Sequence, residues 1–87
     1  ETSWRDKAQD ILITSQLKVA LVGNKNIKSG NFQVTTVNQN LYVFGIARNE
    51  DERKIVINEA NKINDVNEVI SSIFLESDLT NNQRLVD

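Results

Sequence analysis

The spacing of apolar residues changes character along the chain, and each change marks an element. Over residues 4–22 the spacing is helical, with Ile13, Leu17, Ala20 and Leu21 on one side at i, i+4, i+7 and i+8. Ser3, with Asp6 three residues on, supplies a start signal. Gly23 is expected to end the helix in a left-handed conformation. Residues 24–30 are polar and read as a loop. From residue 31 the period falls to two: Phe32, Val34 and Thr36 alternate with Gln33, Thr35 and Val37, which predicts a strand over 31–38. Asn38-Gln39-Asn40 is turn chemistry, and Leu41, Val43 and Gly45 then alternate with Tyr42, Phe44 and Ile46 in a second strand over 41–47. Asn49 followed by Glu50, Asp51 and Glu52 is a capped, dipole-complementing helix start. That helix is predicted over 50–63, burying Val56, Ala60 and Ile63. Asn64-Asp65 breaks it, 66–75 reads as a third strand, and the polar residues 76–87 as a frayed, flexible tail.

The order α-β-β-α-β implies an α+β fold in a single domain over residues 1–75. A hairpin followed by a crossover makes a small three-stranded mixed sheet, with the two helices packed on one face. Composition narrows the chemistry. The chain of 87 residues has 39% hydrophobic and 25% charged residues and a net charge of −2, typical of a globular domain. Neither Cys nor His is present, so the usual soft-metal ligands and His- or Cys-dependent triads are missing; no metal, cofactor or catalytic site is expected. Asp6, Asp10 and Glu59 are not grouped with any activated nucleophile. The slight acidity disfavours nucleic acid. No Met is present, so the sequence is expected to be part of a longer protein, and a missing leader or anchor Cys carries no weight.

The first helix carries more apolar surface than one sheet can cover. At about 100° per residue, Trp4, Ala8, Ile11, Leu12, Val19 and Val22 gather opposite the Ile13/Leu17/Leu21 side, interrupted by Ser15. Lys7 and Lys18 border this second stripe on one edge and Arg5 on the other. A Trp and aliphatics flanked by cations suit a helix lying at a bilayer interface, with Trp4, Leu12 and Val19 as anchors. On the residues alone, the first expectation is that Trp4 and Leu12 fold over the sheet edge or pack on a segment outside this sequence, with lipid and a protein partner as the other readings.

A second surface is expected on the sheet. Tyr42, Phe44 and Phe74 fall on the face turned away from the helices, where they could dock a partner; without neighbouring positive charge they make a poor RNA platform. Glu50-Asp51-Glu52 fans out around its helix and reads as a cap, not a cation site. Lys25 and Lys28 are solvated loop lysines by default, close enough to the helix end to reach lipid phosphates.

With these residues in place, the chain resembles a BON domain (bacterial osmotic-stress and nodulation domain). Ile13, Leu17 and Leu21 match its first-helix positions; Leu41, Val43 and Gly45 match its V-x-L-x-G strand; Ile63, Val66 and Val69 match its closing pattern. Through Asp10, Ile13, Thr14, Leu21, Lys28-Ser29, Val34-Thr35-Thr36 and Asn38 it is most similar to the second domain of dual-BON outer-membrane lipoproteins. Gln39 and Asp65 stand where the family usually has Gly, so Asn38 and Asn64 are expected to take the left-handed positions. In related lipoproteins an aromatic serves membrane contact where Leu12 stands here, Trp4 lying two turns earlier. The resemblance implies a non-catalytic envelope domain that binds anionic phospholipid and supports envelope integrity. It further implies a periplasmic location, attached to the outer membrane in the full-length protein. A protein-interaction module docking a sister BON domain or an envelope partner is the alternative.

Overall fold

A computed structural model of the chain describes residues 4–79. It holds α1 (Trp4–Gly23), a 3₁₀ turn (Ser29–Asn31), β1 (Phe32–Val37), β2 (Asn40–Ala47), α2 (Glu50–Asn61) and β3 (Glu68–Leu75), in the predicted α-β-β-α-β order. The strands form a three-stranded sheet in the order β1-β2-β3. β1 pairs antiparallel with β2, and β2 parallel with β3, so the sheet is mixed.

The core lies between the sheet and the helices. From α1, Ile13, Leu17 and Leu21 are fully enclosed, and from α2, Val56 and Ala60. They meet Leu41, Val43 and Ala47 of the central strand, with Phe32 and Ile73 contributed by the outer strands. Gly45 is fixed by proximity: a Cβ there would stand 2.4 Å from the carbonyl oxygen of Asn31 and 2.9 Å from Cα of Phe32. The inner face of β2 has no room for a side chain at that register.

Several boundaries differ from the sequence reading. Gly23 does not adopt a left-handed conformation. Instead Asn24 turns the chain, its Oδ1 accepting the Asn26 N–H at 3.0 Å and its carbonyl the Ile27 N–H at 3.0 Å. α2 ends earlier than residue 63, tightening into i→i−3 bonds from Lys62 to Glu59 and from Ile63 to Ala60. β3 begins at Glu68, because the Asn67 N–H donates to the Gln39 carbonyl at 2.8 Å and holds the preceding residues outside the ladder. Residues 76–79 form a helical turn where a frayed tail was expected; residues 80–87, and the expected Ser3 cap, lie outside the described residues.

The two Gly-replacing residues take the strained conformation themselves. Asn38 (φ 51°) and Gln39 (φ 66°) are both left-handed, the arrangement of a type I′ hairpin, and Asp65 (φ 66°) is left-handed in place of Asn64. The cost is offset by capture of the turn. Asp10 on α1 accepts the Asn38 N–H at 2.9 Å and the Gln39 N–H at 2.8 Å. Gln39 Nε2 in turn donates to the Asp65 carbonyl at 2.9 Å.

Candidate functional site

Because Ile13, Leu17 and Leu21 face the sheet, the helical period turns the second stripe outward. Trp4 is 89% exposed, Leu12 49% and Val19 72%, and Ile11 and Val22 are exposed with them. Arg5, Lys7 and Lys18 are exposed on the borders of the stripe. The structure thus has the expected anchors and cations on one helix, uncovered among the described residues. Beyond Val22 the apolar surface continues into a shallow cleft of about 210 Å³ between α1 and β1, with Lys18, Leu21, Val22, Phe32 and Val34 among its walls. The Thr14 and Thr36 hydroxyls, 2.7 Å apart, pin the middle of α1 to β1.

The opposite side of the domain is the open face of the sheet. The Tyr42 and Phe44 rings stack with centroids 6.4 Å apart and planes 16° apart. Register places Phe74 beside Ile46, and Phe74 is 57% exposed. Val37 and Ile46, also exposed, enlarge the patch; they share the two-residue phase of Tyr42 and Phe44, which was the sequence signal for them.

A polar cluster that sequence reasoning missed closes the end of the domain near the loop after α1. Glu52, read as one of three cap acids, is only 2% exposed. Its Oε1 accepts from the Arg48 backbone N–H (2.7 Å) and Nε (3.1 Å); its Oε2 accepts from the Lys28 N–H (2.7 Å) and an Arg48 terminal nitrogen (3.1 Å). Burial pushes this carboxyl up, but the Arg48 side-chain bond, the Arg48 and Lys28 N–H groups and the Arg48 charge outweigh it and hold it below the ordinary value. The Glu52 hydrogen bond, then its charge, raises the Arg48 guanidinium in return. Asn49 caps α2 as expected, accepting the Glu52 N–H at 2.9 Å. Arg53 pairs with Glu50. The cluster ties α2 to the loop carrying Lys25 and Lys28; its groups are engaged with each other and it is structural.

Among the described residues, no group of acidic side chains could hold a metal ion, and no helix is long and apolar enough to cross a membrane. What the arrangement offers is surface: an apolar helix stripe with basic borders, and an apolar sheet face behind it.

Comparison with known proteins gives this surface a context. The BON domain family matches residues 9–75. A protein of Anaplasma centrale described as "Uncharacterized protein in gshII 5'region" is 33% identical over 76 residues, covering 87% of this chain and 50% of that protein. The chain therefore spans about half the length of the curated relative it matches. Trp4, Arg5 and Lys7 lie ahead of the matched region.

Proposed function

This chain belongs to the BON domain family, and on that footing we propose that its first helix binds the surface of anionic phospholipid membranes. The family is one of non-catalytic binding domains known for phospholipid binding and envelope roles. In this reading the protein is a periplasmic domain supporting envelope integrity, attached to the outer membrane in its full-length form. The observation that carries the reading is the outward stripe of α1, where Trp4, Leu12 and Val19 are left uncovered between Arg5 on one border and Lys7 and Lys18 on the other.

The helix lies along the interface, Trp4 and Leu12 entering the boundary between headgroups and acyl chains while the cations meet phosphates. Each cation near an anionic surface contributes on the order of 1 kcal/mol. Partial burial of the apolar anchors adds about 2–3 kcal/mol. The sum, about 5–6 kcal/mol, corresponds to a dissociation constant on the order of 0.1 mM. Such binding is reversible and works best beside a second anchor.

Vesicle co-sedimentation tests the reading. The wild type is expected to pellet with vesicles containing phosphatidylglycerol or cardiolipin and to stay in the supernatant with phosphatidylcholine alone. Trp4→Ala and Leu12→Glu should remain in the supernatant with both. Wild type and variants behaving alike would overturn it.

A further inference from the structure

Among the described residues two apolar surfaces on opposite sides of the domain are uncovered, and their lengths and charges suit them to each other. The sheet face is about 26 Å long, the length of the eight-residue strands β2 and β3. Its outer strand axes stand roughly 10 Å apart. That matches the width of a single α-helix, and α1 with its 20 residues is about 30 Å long. Charge sorts the alternatives. Among the residues of the three strands the only charged one is Glu68, at the start of β3; Glu76 and Asp78 follow the other end of that strand. Two cations stand close by: Arg48 after β2 is paired with Glu52 and also feels Glu76, and Arg53, which reaches the Ile73 carbonyl of β3 at 3.4 Å, is paired with Glu50. With those cations offset by Glu52 and Glu50, the charge balance at the ends of β3 is acidic, whereas the helix stripe is bordered by Arg5, Lys7 and Lys18. Sheet against sheet would set acid against acid, and stripe against stripe would set cation against cation; only stripe against sheet opposes unlike charges.

We infer that copies of this chain associate head to tail, the outward stripe of α1 in one copy seated on the Tyr42/Phe44/Phe74 face of the next. Because the two surfaces lie on opposite sides of the domain, the contact does not close on itself in a dimer and propagates as an open chain. The sheet face is smaller than a standard interface, so the association is weak and grows with concentration. The contact is between protein surfaces alone; it uses the stripe that the lipid reading also uses, so anionic vesicles compete with it.

Sedimentation velocity over a micromolar-to-millimolar series, without lipid, tests this, with Phe44→Lys blocking the sheet face and Val19→Glu blocking the stripe. Both positions are exposed, and circular dichroism checks that the variants are folded. The wild type is expected to grow in mass past the dimer without a plateau, and each variant alone to stay monomeric. An equimolar mixture of the two should form a one-to-one dimer and nothing larger, since one variant keeps its stripe and the other its sheet. A wild type that is monomeric throughout would overturn the inference, as would a monomeric mixture or either variant associating like the wild type.

Discussion

The carboxylate of Asp10, on α1, accepts a hydrogen bond of 2.8 Å from the backbone N–H of Gln39, a residue held left-handed at φ 66°. The helix that exposes the outward apolar stripe thereby fixes the tip of the hairpin, and the bond to the neighbouring Asn38 N–H doubles the hold. Asp10→Ala is expected to destabilise the domain by roughly 2 kcal/mol, since both N–H groups lose a charged acceptor and the turn keeps its strain. Asp10→Asn, which retains one acceptor oxygen, should lose less. Urea denaturation of the three proteins measures the order.

Asp65 supplies the complementary test. Its left-handed φ is supported through its carbonyl, which accepts from the Gln39 side chain at 2.9 Å and would do so with Gly in its place, while its own carboxylate meets Gln9 at 3.5 Å. Asp65→Gly is expected to stabilise by about 0.5–1 kcal/mol, because Gly adopts that conformation without steric cost. A thermal melt reads this as a modest rise in Tm.

Acid should unfold the domain partly through Glu52. Its folded-state pKa lies below the ordinary value, so its contribution is fully present above the unfolded pKa of about 4.3 and disappears as pH falls through the folded value. Denaturant titrations between neutral pH and pH 3 should show this loss in the wild type. In Glu52→Gln, expected to be less stable by about 2–3 kcal/mol at neutral pH, the pH dependence should be shallower.

Gly45→Ala is expected to cost about 3 kcal/mol or more, because the added methyl meets backbone at Asn31 and Phe32, which cannot rotate aside. Amide spectra should report either an unfolded chain or a displaced β1.

The part of this molecule that follows from periodicity was legible in the sequence. Ile13, Leu17 and Leu21 share a phase, and that phase alone turned Trp4, Leu12 and Val19 outward; the strand phases placed Leu41 and Val43 inside and Phe44 and Phe74 outside. The parts that rest on contacts between distant residues were not. Nothing local marks Gln39 or Asp65 as left-handed, since their strain is offset by groups far away in the chain, chiefly Asp10. Glu52 reads as a cap acid until the fold brings the Lys28 N–H to it across 24 positions. Gly23 is a natural helix stop by type, yet the Asn24 side chain made the turn first.

The central claim is that the outward stripe of α1 meets anionic membrane, and Trp4, the chain's one Trp, reports on it directly. Its emission should be followed while phosphatidylglycerol vesicles are added at low salt, beside a titration with phosphatidylcholine. A blue shift with the anionic vesicles that fades as salt is raised, and no shift with the neutral ones, is the expected result. Emission that stays unchanged on anionic vesicles, or shifts equally on both, would contradict it.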